Sequence, residues 1–499
     1  MGDVQPFGLL ILIVSAVGLL AVLSNRVSER LQLPTPALFL AGAAVTAAIV
    51  PSLPALPHRS VERLVTIALV VILFDGGMHI GWSRFRVSAV PITLAGVAGT
   101  FLTTGAVALL AHVAFGLDGY LALLVGTAVA PTDPAVVFSV LGQRELVGRT
   151  GTILEGESGA NDPVGIALMA SLLAAGSLSA GAFEQVATEF ALQMTVGALV
   201  GLLGGRALLW FMRRVALPNE GLYPLRTLAA AMLLFGLATV AHGSGFLAVF
   251  VAGIAVGDGA APYKREIRRF HASLASLGEI VAFVVLGLTV DLQQLSNSDV
   301  LVPGLIIGAV LTLVIRPLAV GLCLLPVGLA RNERAFVLFA GLKGAVPILL
   351  GSFLLAAQVP QAARLYGIVV VAVAFSVLVQ GGLVPLAIRL LRLPMNRVAP
   401  EPWSLGMRLR DEPAGVHQLR VVAGSHADGH RIGDINDALT DVWISFVVRD
   451  GSLVPVSGDT LLHAGDDVMV LADPDLQAEL RRSFTEPAGP AGPAGPVGD

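Results

Sequence analysis

The chain has 499 residues, of which 55% are hydrophobic and 13% charged, where an average soluble domain carries about 25% charged; its mean hydropathy is +0.82. This excludes a soluble enzyme of ordinary composition, and a net charge of −4 gives no basic excess for a nucleic-acid partner. The single cysteine, Cys323, lies inside an apolar block, so neither a disulfide framework nor a cysteine metal site forms within one chain.

The amino terminus carries Asp3 and no Lys or Arg before the first apolar run. A signal peptide starts with a basic region, so the first helix is expected to stay in the mature protein. Apolar blocks bounded by charge, Pro and Gly follow at 7–24, 35–52, 61–79, 88–115, 119–141, 150–175, 184–212, 224–242, 244–258, 271–290, 299–329, 333–357 and 364–391. Crossing about 30 Å of hydrocarbon takes roughly 20 residues of helix, which predicts an all-α polytopic membrane protein of about 13 transmembrane helices.

Loop charge tests the count, because cytoplasmic loops keep Lys and Arg. Alternate connections hold Arg26 and Arg30, Arg84 and Arg86, Arg144 and Arg149, Arg213, Arg214 and Arg226, Lys264, Arg265, Arg268 and Arg269, Arg331 and Arg334, then Arg389, Arg392 and Arg397; the others hold only Arg59, Arg63 and Arg364. The alternation predicts an N-terminus outside and a C-terminus inside, in the cytoplasmic (inner) membrane. Residues 1–395 then form the membrane domain and 396–415 a linker.

Beyond the linker, Val416–Val422 and Trp443–Arg449 alternate at period two, as strands do. Asp450-Gly451 before Ser452–Val456 is a hairpin signal, and Asp473–Phe484 reads as a closing helix. Residues 416–485 are thus expected to form a small α/β cytoplasmic domain, and the Pro/Ala/Gly-rich residues 486–499 a disordered tail.

An ionisable group at membrane depth costs several kcal/mol unless it is paired or faces a polar cavity. Those present are Asp75 in the third span, Asp133 in the fifth, Glu155, Glu157 and Asp162 in the sixth, Glu279 in the tenth, Arg316 in the eleventh and Lys343 in the twelfth. Arg206 lies nearer the end of the seventh, where it can snorkel. His79, His112, His242 and His271 lie at span ends, where a half-wet imidazole is ordinary; tuning of pH response by His242 or His271 is the alternative.

The fifth span contains Ala130-Pro131-Thr132-Asp133-Pro134, and the twelfth contains Gly341-Leu342-Lys343-Gly344-Ala345-Val346-Pro347. Proline removes helical hydrogen bonds and frees carbonyls, and such a break is tolerated only where backbone lines a cavity or is buried in protein. Seven spans apart, the two helices would run in opposite directions, which points to inverted repeats with two broken crossing helices at a substrate site. Lys343 would balance the negative half-helix ends and Asp133 the positive ones. Two plain proline kinks are the alternative.

In Glu155-Gly156-Glu157-Ser158-Gly159-Ala160-Asn161-Asp162-Pro163, Ser158 and Asp162 share a helix face, as do Glu157 and Asn161. A carboxylate beside a hydroxyl suits a weakly held monovalent cation. Glu157 reads better as a structural partner of buried Arg316, and Asp162 as the functional carboxylate.

Together with Phe74-Asp75-Gly76-Gly77 and Arg316-Pro317, these motifs resemble the monovalent cation/proton antiporter-1 family across residues 7–392. The resemblance implies that Asp162 binds cation and proton in turn, with Ser158, Thr132 and Asp75 as further site groups beside Asp133 and Asn161. It implies a structural ion pair of Glu157 with Arg316, and a homodimer in the lipid bilayer. Asn161, where electrogenic relatives have Asp, implies one proton per cation, and Lys343 stands where many relatives have Arg. No cofactor is expected, and no metal beyond the transported K⁺ or Na⁺.

The tail resembles the TrkA-C domain of potassium-conductance regulators through Val447-Val448-Arg449-Asp450-Gly451, Gly458-Asp459-Thr460 and Ala464-Gly465-Asp466-Asp467-Val468. It implies a regulatory module, either an assembly domain or a sensor of a nucleotide-type ligand. That association tilts the expected exchange toward K⁺ for H⁺, with Na⁺/H⁺ exchange as the alternative. A regulated channel lacks its Thr-Val-Gly-Tyr-Gly loop here, and an intramembrane hydrolase using Ser158 lacks a neighbouring base.

Overall fold

The computed structural model describes Leu19 and residues 34–49, 57–141, 144–146, 148–259, 261–397, 415–439, 442–450 and 452–486. The expected span 7–24, most of the linker and the tail beyond residue 486 lie outside the described residues. The chain divides into two units, Met1–Ser404 and Leu405–Asp499.

In the first unit every expected span from 35–52 onward is occupied by helix, because in hydrocarbon only a helix satisfies its own backbone. In chain order the helices are α1 Thr35–Ile49, α2 His58–Thr93, α3 Gly99–Phe115, α4 Gly119–Val129, α5 Pro134–Leu141, α6 Thr150–Ala175, α7 Ala180–Arg214, α8 Leu222–Val240, α9 Gly245–Gly257 and α10 Lys264–Gly287. They continue with α11 Leu292–Leu295, α12 Ser298–Val310, α13 Arg316–Cys323, α14 Arg331–Phe339, α15 Ala345–Ala356, α16 Ala362–Phe375 and α17 Val384–Leu391. Among the described residues seven continuous helical runs are long and apolar enough to cross a membrane, and three apolar helices are shorter. Asp118, Ser179 and Ser244 cap α4, α7 and α9 with side-chain oxygens, and Gly116 and Gly176 end α3 and α6 in the left-handed conformation. Two short strands, β1 Arg144–Leu146 and β2 Met395–Arg397, tie the connection before α6 to the chain after α17.

The third and fourth spans depart from expectation. No loop separates them: a single glycine, Gly81 with φ 63 and ψ 168, turns the chain inside α2. Asp258 fixes the turn by accepting from the Ser83 amide at 2.5 Å. Three π-helical segments, Leu94–Ala98, Leu311–Ile315 and Ser376–Gln380, interrupt other helices.

Close packing of α2 on α9 rests on two glycine pairs spaced four apart. A Cβ on Gly253 would lie 3.1 Å from Gly77 Cα, and one on Gly257 would lie 2.7 Å from Gly81 Cα. Small residues at this spacing let backbones touch where lipid supplies no hydrophobic drive.

The second unit is an antiparallel sheet of β3 Val416–Arg420, β4 Trp443–Arg449, β5 Ser452–Val454 and β6 Asp467–Leu471, in the order β3-β6-β4-β5. Arg449 pairs with Ser452, so the hairpin read from Asp450-Gly451 is present, with Asp450 at φ 48. Helices α18 Ile432–Ala438 and α19 Gln477–Thr485 accompany it, with Ile432, Ile435, Leu480 and Phe484 in the core with Ile444, Val447, Val468 and Val470. The central strand β6 and the helix α18 were not read from the sequence.

Asp466, 1% exposed, accepts two hydrogen bonds from Arg449, each 2.8 Å, and one from the His463 amide at 2.9 Å. Burial alone would raise its carboxyl; the Arg449 and His463 donors outweigh that and hold it below the usual range.

Two outcomes follow from this packing. Gly253→Val is expected to destabilise the membrane unit by about 1–3 kcal/mol through overpacking, lowering the thermal midpoint in detergent. Gly236→Ala, where a Cβ meets nothing within 4 Å, is expected to leave it unchanged or slightly raised. In the second unit the depressed carboxyl of Asp466 stabilises the fold above its unfolded pKa, and that contribution disappears as pH falls through the folded value. Asp466→Asn should therefore speed hydrogen exchange in β4 and β6 at neutral pH, and the difference should vanish in acid.

Candidate functional site

Both proline-flanked motifs break their helices. Residues Ala130–Asp133 separate α4 from α5, and Ala340–Gly344 separate α14 from α15. The breaks meet: the Asp133 amide donates to the Leu342 carbonyl at 2.8 Å. The Lys343 ammonium donates to the carbonyls of Ala130 and Pro131 at 2.9 and 3.1 Å, so a cation sits on the C-terminal end of α4, where the helix dipole is negative. Asp133 accepts from the Ala135 amide at 2.9 Å, which puts a carboxylate on the positive end of α5. Only a glycine fits at position 344, because a Cβ there would fall on the Asp133 side chain.

Asp162 faces this crossing from α6, next to Pro163, and is 7% exposed. Ser158, one turn before it, lies within electrostatic reach of its carboxylate, and Asp133 and Lys343 are its charged neighbours. Its Oδ1 is buried with no hydrogen-bond partner among the described residues. A buried carboxylate oxygen left bare is costly, and a proton or a cation would complete it. Thr132 and Asn161 hold each other: Asn161 Nδ2 donates to Thr132 Oγ1 at 2.7 Å, and the Thr132 amide donates to Asn161 Oδ1 at 3.3 Å. An amide can both donate and accept in this way, whereas an ionised carboxylate only accepts; Asn161 therefore fixes the first break to α6.

Glu157 and Arg316 form a buried two-pronged ion pair at 2.7 and 3.0 Å. Arg316 also donates to the carbonyls of Leu338 and Val337 at 2.9 and 3.1 Å, so it covers the negative end of α14 as Lys343 covers that of α4. The sequence reading gave Arg316 only the first of these duties. It missed a second, uncharged support altogether. Gln380, 2% exposed, donates to the Phe339 carbonyl and accepts from Thr312 and Ser376 at 3.0 and 2.8 Å, while Ser376 accepts from the Lys343 amide at 3.0 Å. Two π-helical segments thus meet through Thr312 and Gln380 to hold the second break; a search of apolar spans for Gln as well as for charge would have found it.

Asp75 is not joined to this cluster. Its Oδ2 lies 3.2 Å from His79 Nδ1, one turn along α2, and no hydrogen bond or ion pair links it to Asp162, Asp133 or Ser158 among the described residues. Glu279, unplaced from sequence, lies within electrostatic reach of Asp133. His271 is fully buried rather than half-wet, with Nε2 2.8 Å from Thr227 Oγ1. Because Thr227 gives its proton to the Pro224 carbonyl, His271 is the donor in that bond.

Residues 13–389 match the transmembrane part of the sodium/hydrogen exchangers, and residues 416–485 match the TrkA-C domain. A K⁺/H⁺ antiporter NhaP of Alkalimonas amylolytica is 33% identical over 498 residues, spanning 95% of this chain and 84% of that protein. A K⁺/H⁺ antiporter NhaP2 of Shewanella oneidensis is 31% identical over 485 residues, spanning 93% and 81%. The solved sodium proton antiporter MjNhaP1 of Methanocaldococcus jannaschii shares the fold with a TM-score of 0.62 at 23% identity, covering 74% of this chain and 99% of that one. The chain belongs to the sodium/hydrogen exchanger family of multi-pass membrane antiporters and carries a TrkA-C domain behind its transmembrane part.

Proposed function

We propose that this protein exchanges K⁺ for H⁺ by letting the two compete for the Asp162 carboxylate. The observation that carries the reading is the bare buried Oδ1 of Asp162 beside two crossing broken helices. Protonation or cation binding each neutralises the carboxylate. An empty, ionised Asp162 would have to cross the barrier at a cost of several kcal/mol, so the loaded forms move and the empty form does not. That asymmetry is what makes the cycle an exchange rather than a leak.

Ser158 and the Thr132 hydroxyl supply neutral oxygens for a weakly hydrated cation. Asn161 cannot carry a second proton, which favours one proton per cation and electroneutral exchange. Lys343, Asp133, Glu157 and Arg316 hold the frame. Asp75 pairs with His79 and joins no group at the crossing in this conformation. Relatives named as K⁺/H⁺ antiporters over nearly the whole chain favour potassium; a relative from Pseudomonas aeruginosa named as a Na⁺/H⁺ antiporter, 28% identical over 64% of this chain, keeps sodium as the second reading.

In this reading the membrane part is residues 1–395, crossing the inner membrane about thirteen times with its N-terminus outside. The domain at 416–485 hangs in the cytoplasm from the linker 396–415, and the chain works as a homodimer. The domain sets the exchange rate, through assembly or through a nucleotide-type ligand.

Proteoliposomes with imposed K⁺ or Na⁺ gradients test both choices. Potassium-driven proton flux that changes when residues 400–499 are removed is expected, with Asp162→Asn reducing flux to background while the variant still purifies as a folded protein. Sodium-driven flux indifferent to the tail would select the second reading; cation-coupled flux retained by Asp162→Asn would remove Asp162 from the mechanism.

A further inference from the structure

Near the end of α7, Arg206, Leu209, Trp210, Arg213 and Arg214 line a cavity of about 380 Å³. At about 100° per residue, Arg206, Trp210, Arg213 and Arg214 fall within roughly a third of the helix circumference. The apolar window of α7 is only 11% buried within the described chain, and Trp210 is 62% exposed. This side of the helix therefore looks outward, toward lipid.

Arg206 lies eight residues before Arg214, about 12 Å deeper along the helix. Neither Arg206 nor Arg214 forms a hydrogen bond or ion pair with another described residue. An arginine inside an apolar span needs a counter-charge, and guanidinium groups gathered on one face repel unless an anion lies between them. The planar fork of arginine matches a phosphate with two parallel hydrogen bonds, while a tryptophan beside it is the ordinary anchor at headgroup depth.

We propose that this cavity binds the phosphate of an anionic phospholipid headgroup, with the acyl chains running along Leu209 and Trp210. Simple snorkelling explains one long side chain reaching water, but not one cavity lined by three arginines. The proposal is independent of which cation is carried.

Native mass spectrometry of the full chain in detergent, titrated with phosphatidylglycerol, reads the site directly. The wild type is expected to retain one phosphatidylglycerol per chain in preference to phosphatidylcholine. Affinity should fall about fivefold for each arginine removed in the series Arg214→Gln, Arg213→Gln and Arg206→Gln. A variant of equal charge loss, Lys264→Gln with Arg265→Gln and Arg269→Gln, should keep the lipid. Arg214→Gln alone, at an exposed helix end, keeps the test open should the triple variant fail to purify. Equal retention by Arg214→Gln and the wild type, equal retention of phosphatidylcholine, or displacement of the lipid by an equal concentration of inorganic phosphate would each overturn the proposal; the last would assign the cavity to free phosphate.

Discussion

The hydrogen bond from the Asp133 amide to the Leu342 carbonyl joins two helices at the points where each has lost its own backbone pairing. Everything at the site depends on that crossing. Each break exposes carbonyls at one half-helix end and amides at the other, and hydrocarbon offers no water to satisfy them. The chain answers with charge and amide groups: Lys343 on Ala130 and Pro131, Arg316 on Val337 and Leu338, Gln380 on Phe339, and Asp133 on Ala135. Buried charges that are unusual in a membrane thus become the parts that make an unwound centre tolerable.

Seen this way, the ionisable groups sort by whether the fold uses up their hydrogen-bonding capacity. Glu157 accepts with both oxygens from Arg316, and removing either partner would leave an uncompensated buried charge. Lys343 is committed to two carbonyls. Asp162, alone among the described residues at the crossing, keeps a buried oxygen without a donor, and its charged neighbours Asp133 and Lys343 are each tied to a helix end. A group in that position can exchange its occupant without disturbing the frame, which is what a carrier of two competing ions needs.

Much of this was legible in the amino-acid order, for a physical reason. Charge is so costly in an apolar run that Asp133, Glu157, Asp162, Arg316 and Lys343 stand out one by one, and prolines mark the breaks because they remove an amide. The supporting layer was not legible. Gln380, Ser376 and Thr312 carry no charge and occur on three segments whose meeting only the fold determines. The kink at Gly81 was hidden because Gly-Trp-Ser-Arg-Phe-Arg reads as a loop, whereas one glycine at positive φ suffices when Asp258 supplies the partner for the Ser83 amide. Asp75 was grouped with the site by resemblance; its position one helical turn from His79, visible in the sequence, is the relation the structure shows. In the second unit the hairpin at Asp450 could be read from turn chemistry, while the seven-residue helix Ile432–Ala438 is too short to announce itself by periodicity.

The central claim is that proton and cation share one carboxylate. Its most direct test is to add K⁺ to the detergent-solubilised protein in weak buffer and to measure protons released against cations bound. Competition at Asp162 predicts proton release that saturates together with binding, approaches one proton per cation when the carboxyl starts protonated, and disappears in Asp162→Asn. Potassium binding that releases no proton from the wild type at any pH, or proton release that persists in Asp162→Asn, would contradict the account.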